Sequence, residues 1–212
     1  KGSNQAIAAA RSGGSVSFIS KLGKDNYSEL ALSLYREAGI NFDGIQFDPI
    51  NPTGAAGIMI NEKTGENAIN VVPGAAGTID QSMIDEYLPI IKDSKIFLTQ
   101  LETPKDVTFY ALKKAKECGA TTILNPAPAS TFSKDFFELI DFFTPNETEA
   151  SFYLNKNIES EKDCIEAGKE FLDMGVKNIL ITLGDKGCYF RNRNEEFLIP
   201  AKKLNNPVID TT

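Results

Sequence analysis

An α/β fold, with a mostly parallel sheet flanked by helices and a small projecting β lid, is the architecture this sequence predicts. Three observations predict it. Short apolar runs alternate with longer amphipathic segments along most of the chain. The runs Ile96-Phe97-Leu98, Thr122-Ile123-Leu124, Asp141-Phe142-Phe143 and Ile179-Leu180-Ile181 lack strict apolar–polar alternation, as strands covered on both faces do. Between residues 49 and 72 the alternation gives way to two strand-like runs joined by a polar, glycine-containing piece. Repetition of strand and helix implies parallel pairing through right-handed crossovers.

The elements follow in order. Residues 4–12 are alanine-rich and read as a helix. Residues 16–19 read as a strand. Asp25 is a candidate N-cap for a helix to about Ala38, closed by Gly39 where a left-handed residue is wanted. Residues 53–59 and 67–72 are the hairpin strands. Helices are predicted over residues 80–91, 104–118, 133–140, 147–154 and 161–174. Thr103 stands as a cap, Pro104 at the first helical position and Asp106 in the first turn. Cys164, Ala167, Gly168 and Phe171 share one helical face. Residues 187–192 and 195–199 read as an antiparallel pair at the sheet edge. The 212 residues are read as one domain, with residues 49–72 inserted as the lid.

Composition removes several functions. The net charge of −7 makes a poor general binder of nucleic acid, whose affinity rests on Lys and Arg. It does not forbid a nucleotide, because helix N-termini and backbone amides can grip phosphate locally. No histidine is present, which excludes Ser-His-Asp and Cys-His catalysis and histidine-held metals. Acid–base work must rest on carboxylates, Lys, Tyr or Cys. The three cysteines, Cys118, Cys164 and Cys188, are widely spaced and read as buried structural thiols in a reducing cytoplasm. No apolar run approaches the roughly 18 residues that a membrane span needs.

Ligands of open α/β sheets bind beyond the carboxyl ends of the strands. Three of those ends are polar: Thr99-Gln100-Leu101-Glu102, Thr144-Pro145-Asn146 and Thr182-Leu183-Gly184. Each has a bland reading. Glu102 can be a surface or cap residue. Asn146 and Glu149 can be an N-cap and a first-turn acid. Thr182 and Gly184 can be a strand end and its turn. Neither GxxxxGK[ST] nor GxGxxG is present, so a nucleotide would need another cradle.

The opening Lys1-Gly2-Ser3-Asn4-Gln5-Ala6 with Gly13 and Gly23, the hairpin with Val72-Pro73-Gly74-Ala75, Asn146-x-x-Glu149, Thr182-Leu183-Gly184-x-x-Gly187 and the closing Asp210-Thr211-Thr212 stand together in that order. Together they resemble the ribokinase-like (PfkB) carbohydrate kinases across the whole chain. Ala76 departs from the asparagine common at that place.

The resemblance implies an ATP-dependent kinase that makes D-ribose 5-phosphate from D-ribose. Deoxyribose kinase, fructokinase or nucleoside kinase is its neighbouring alternative. It implies that Lys1, Gly2, Asn4 and Glu102 bind the sugar, and that Asn146, Thr182, Gly184 and Gly187 bind the nucleotide. Glu149 would hold Mg²⁺ through water, and Asp210 and Thr212 would hold K⁺. The lid would join a homodimer. The family's catalytic aspartate is expected just past Thr212, which leaves this segment alone without its base. A non-catalytic binding fragment and an unrelated α/β interaction domain are the alternatives from other classes.

Overall fold

The computed structural model describes residues 1–61 and 67–203. By its internal contacts the chain divides into two compact units, one of Lys1–Gly2 with Asp80–Ala201, the other built on Ser3–Ile79.

In the Ser3–Ile79 unit, helix α1 (Gly2–Arg11) forms on the alanine-rich run. Strand β1 (Ser20–Gly23) precedes helix α2 (Asn26–Glu37). Asp25 starts α2 with a capping box: its carboxylate accepts from the Ser28 amide at 2.9 Å, while Ser28 Oγ accepts from the Asp25 amide at 3.3 Å. Gly39 closes the helix at φ +72°. Strand β2 (Ile45–Asp48) pairs in parallel with β1. Ala6, Tyr35 and Ile40 form the buried centre of this unit.

The expected strand at residues 16–19 is only a single bridge from Ser17 to Asn41; regular pairing begins at Ser20. The turn that bonds the Ile45 amide to Phe42 O interrupts the partner there. Strand β2 was not anticipated. Its four residues are too few to display a period.

The lid is an antiparallel pair, β3 (Ala55–Ile60) with β4 (Asn67–Val72). Its roots are fixed by side chains. The Thr53 amide donates to Asp25 at 2.7 Å, and Thr53 Oγ1 accepts from the Gly23 amide at 2.9 Å. Asp48 accepts from the amides of Ile50 and Asn51 and from the Thr78 hydroxyl. The Asn51 and Ile50 amides, in that order, hold its carboxyl well below the usual carboxylate range. Gly74 sits at φ +55°, and a Cβ there would come within 2.3 Å of Pro52 O. Only glycine lets the two roots approach so closely.

The other unit begins with α3 (Gln81–Glu86) and α4 (Leu88–Asp93). One helix was expected over residues 80–91. Pro89 lacks the N–H that would continue the ladder, so the helix breaks at Tyr87. There follow β5 (Ile96–Thr99), α5 (Lys105–Glu117), β6 (Thr121–Leu124), β7 (Phe142–Phe143), α6 (Glu147–Leu154), α7 (Glu161–Asp173), β8 (Asn178–Thr182), β9 (Cys188–Arg191) and β10 (Glu196–Ile199). The six strands lie in the order β10-β9-β8-β7-β6-β5. From β5 to β8 every pairing is parallel; β9 and β10 close the sheet as the expected antiparallel pair.

Leu112, Leu124, Phe143, Phe171, Ile179 and Ile181 are fully buried between sheet and helices. Each contributes about 1.5–3 kcal/mol over an exposed side chain. Gly168 is held tight, since a Cβ would meet the Tyr189 ring at 2.8 Å.

Four further expectations need correction. Residues 134–139 form a 3₁₀ helix, not an α-helix, ended by the extended Ile140. Pro104, not Thr103, is the N-cap of α5; the Thr103 hydroxyl bonds the Thr108 hydroxyl at 2.8 Å instead. Strand β5 is not covered on both faces, because it lies at the sheet's edge with Ile96 and Leu98 exposed. Of the three cysteines only Cys164 is buried; Cys118 caps the end of α5 and Cys188 starts β9, and both are half-buried.

At the amino end of the strands Asp141 is a buried carboxylate. It accepts from the Thr122 amide at 3.0 Å and pairs with Lys177 at 2.6 Å and Lys116 at 3.2 Å. Burial raises its pKa, but Lys177, the Thr122 amide and Lys116 outweigh burial and bring it down to about 2. Its stabilisation is therefore complete above about pH 4 and is lost as pH falls towards about 2. We expect Asp141→Asn to lower stability in urea by about 1–3 kcal/mol at neutral pH. The gap to the parent chain should narrow as pH is lowered from about 4.5 to about 2.5. A gap that stays constant over that range would show that the carboxylate charge is not what stabilises this corner.

Candidate active site

Because β5 to β8 run parallel, their carboxyl ends share one edge of the sheet. Thr99 aligns with Leu124, Leu124 with Phe143, and Phe143 with Ile179. Glu102, Asn146 and Thr182 all follow those tips. They therefore stand on the same edge, as the sequence predicts.

Asn146 and Thr182 are direct neighbours. They form an isolated parallel bridge, and the Thr182 amide donates to Pro145 O at 3.0 Å. Glu102 lies two strands from Asn146 and is half-buried. Its Oε2 accepts from the backbone nitrogen of Lys1 at 2.6 Å. The Lys1 atom in this contact is the terminal nitrogen, not its side chain. Gly2 begins α1, and Asn4 follows in the first turn of that helix as an exposed residue.

Asn146 caps α6. Its Oδ1 accepts from the Glu149 amide at 2.7 Å, and Glu149 Oε2 accepts from the Asn146 amide at 2.9 Å. This is the bland reading realised, and it does not displace the other. The cap uses one oxygen of Glu149 and leaves the second available at a helix N-terminus, where the backbone dipole also favours phosphate.

Residues 182–187 form a tight loop between β8 and β9. The Leu183 amide donates to Gly187 O at 2.8 Å, and the Gly187 amide donates to Gly184 O at 3.3 Å. Gly184 has φ +55° with open space where a Cβ would be, so the backbone turn alone asks for glycine there. Gly187 has φ +110° and in addition a Cβ there would lie 1.9 Å from Ile199 O, so both the backbone and packing against β10 require glycine. Lys186 pairs with Glu147 at 3.3 Å, tying this loop to the first turn of α6.

The expected cation ligands Asp210 and Thr212 lie outside the described residues. Among the described residues, no group of three or more His, Cys, Asp or Glu is placed to hold a metal ion directly. No helix among them is long and apolar enough to cross a membrane. A recess of about 400 Å³ opens at the opposite edge of the sheet, beside Lys116, Asp141 and Lys177. Its two lysines are already paired with Asp141, and none of the described residues predicted for the site lines it.

The sequence reading missed Asn125. It directly follows β6, between the tips that lead to Glu102 and Asn146, and its Nδ2 donates to Thr144 O at 2.8 Å. A polar residue directly after Thr122-Ile123-Leu124 was the available signal.

A sequence model of the pfkB family carbohydrate kinases matches residues 1–212. The chain belongs to that family. Its members are phosphotransferases that place phosphate on sugars. The whole chain is 37% identical to a ribokinase of Staphylococcus aureus, covering 69% of it. It is 36% identical to a bifunctional ribokinase/ribose-5-phosphate isomerase A of Fructilactobacillus sanfranciscensis, covering 39% of it. It is 30% identical to a deoxyribokinase of Salmonella typhi, covering 69% of that protein.

Among solved structures, the ribokinase of Thermotoga maritima superposes with TM-score 0.81 at 34% identity, over 96% of this chain and 66% of that one. The Arabidopsis thaliana ribokinase, solved with ribose and ATP, superposes with TM-score 0.88 at 27% identity, over 97% of this chain and 67% of that one. The ribokinase-like α/β fold and the kinase family are thus established for this chain, which spans about two thirds of these ribokinases and less of the bifunctional protein.

The capping box separates the two roles of α6's first turn. Asn146→Ala should cost about 1 kcal/mol of stability, within 0.5–2. Glu149→Gln keeps an oxygen for the Asn146 amide and loses only charge at the helix end, about 0.3–1 kcal/mol. Thermal unfolding of both variants checks the order; a larger loss for Glu149→Gln would contradict the hydrogen-bond account.

Proposed function

We propose that the chain carries the sugar- and nucleotide-recognition parts of an ATP-dependent ribokinase that converts D-ribose to D-ribose 5-phosphate. The observation that carries the reading is the shared edge, where Glu102 follows β5, two strands from Asn146 after β7 and three from Thr182 at the end of β8. One end of that edge can accept hydrogen bonds from a neutral polyol. The other offers an amide, a hydroxyl and helix-terminal N–H groups to phosphate. The relatives named ribokinase support the choice of sugar.

In this reading Glu102, Lys1, Gly2 and Asn4 bind ribose. The fixed acceptor at Glu102 discriminates against an analogue lacking the matching hydroxyl. Asn146, Thr182, Gly184 and Gly187 line the nucleotide. The primary hydroxyl of the sugar loses its proton to the family's aspartate and attacks the γ-phosphorus, while the bond from that phosphorus to the β-phosphate oxygen breaks and ADP leaves.

The unused oxygen of Glu149 suits a hydrated Mg²⁺, which keeps most of its waters and supplies charge neutralisation on the phosphates. Asp210 and Thr212 are assigned to K⁺. The three unpaired cysteines fit a cytoplasmic enzyme.

A coupled assay on the complete protein tests the reading. Ribose should give the highest kcat/KM, with 2-deoxyribose and fructose behind it. A preference for 2-deoxyribose would move the assignment to the deoxyribokinase branch. Glu149→Gln should raise the Mg²⁺ concentration required for half-maximal rate while leaving the KM for ribose in place; an unchanged Mg²⁺ requirement would remove Glu149 from the metal.

The lid also carries an assembly proposal. By the register of β3 with β4, Ala56, Ile58 and Ile60 share a face with Ile69 and Val71, and the three isoleucines are 42–48% exposed. A two-stranded sheet is marginal alone, and a second copy of the same face would bury both. Sedimentation of the complete protein should give a dimer, and Ile58→Asp with Ile69→Asp a monomer. A dimer that survives both changes would place the interface elsewhere.

A further inference from the structure

We propose that Asn125 is a positioning residue for the phosphate transfer described above, holding the loop that carries Glu102 in register with the loop that carries Asn146. The inference rests on the kinase reading of this edge.

Strand β6 lies between β5 and β7, and its tip contacts both neighbours. On one side the Asn125 amide donates to Thr99 O at 3.0 Å, and the Leu101 amide donates to Ala127 O at 3.1 Å. The run from Thr99 to Glu102 is thereby hooked onto residues 125–127. On the other side Asn125 Nδ2 donates to Thr144 O at 2.8 Å. A carbonyl can only accept, so this contact requires the nitrogen of the side chain and leaves Oδ1 as its acceptor.

The position of that contact gives it weight. Thr144 precedes Pro145, so the peptide between them has no N–H. Its carbonyl is its only hydrogen-bonding handle, and Asn125 holds it. The next carbonyl, Pro145 O, accepts from the Thr182 amide at 3.0 Å. Turning the Thr144–Pro145 peptide would swing Asn146 away from Thr182.

Residues 125–131 can bear this load. Pro126 and Ala127 are buried, Tyr153 Oη bonds the backbone of Ser130 at 3.0 and 3.3 Å, and Lys105 Nζ donates to Thr131 O at 2.9 Å. Burial pushes the Tyr153 hydroxyl up to about 12, so it stays a neutral donor at physiological pH.

In-line transfer is sensitive to displacement, and an error of about 1 Å can cost about 100-fold in rate. Asn125→Asp keeps the size of the side chain but sets an acceptor against the Thr144 carbonyl. In the complete protein we expect kcat per folded molecule to fall about 10- to 100-fold. The KM values for ribose and ATP should shift by no more than about threefold, because each loop keeps its own local contacts.

A residue with only a structural role would lower the melting temperature or the folded fraction and leave kcat per folded molecule unchanged. That result overturns the proposal. If Asn125→Asp does not fold, Asn125→Ser, which is too short to reach Thr144 O, is judged by the same criterion. A parent protein that phosphorylates no sugar would overturn the kinase reading and this inference with it. An active parent whose Asn125 variants turn over at the parental rate overturns the role of Asn125 alone.

Discussion

The parallel hydrogen bonding that joins β5, β6, β7 and β8 aims the carboxyl ends of four strands at one edge of a sheet, and every functional statement about this chain depends on it. A strand leaves its last polar residues wherever its tip points. Reversing β5, β7 or β8 would carry Glu102, Asn146 or Thr182 respectively to the other end of the sheet. The register is secured at both ends. At the amino end, Asp141 bonds the Thr122 amide across to β6; at the carboxyl end, Asn125 bonds Thr144 and Pro145 O receives Thr182.

Several residues serve structure and chemistry together. Asn146 and Glu149 stabilise the start of α6 by capping each other, yet the same geometry leaves a carboxylate oxygen and helix amides in place. At the lid roots, Asp25, Asp48, Thr53 and Gly74 set where the hairpin leaves its unit. Their loss would disturb the lid without any contact to a ligand. Gly184 and Gly187 both take a positive φ, but at Gly187 the neighbouring strand β10 leaves no room for a Cβ as well.

Much of this was legible in the sequence because its signals are local. The capping residues Asp25 and Asn146, the left-handed Gly39 and the lid strands each follow from a few adjacent residues. The polar tips after β5, β7 and β8 could be read for the same reason. Other features depend on partners far along the chain. Strand β2 is too short to show a period, and the bridge at Ser17 is limited by a turn near Phe42. The exposure of β5 follows from its place at the sheet edge, which a single run of letters does not encode. Asn125 escaped because its meaning lies in Thr144, a neighbour in space through β7 and not in sequence. The identity of the sugar is a finer matter than the fold, since chains named ribokinase and deoxyribokinase resemble this one over its full length.

The most direct test is a crystal structure of the complete protein with D-ribose and a non-hydrolysable ATP analogue. The account places ribose against the Glu102 carboxylate and the β- and γ-phosphates against Asn146 and the Thr182–Gly184 turn. Nucleotide bound at the opposite edge, beside Lys116 and Lys177, or ribose bound away from Glu102, would contradict it.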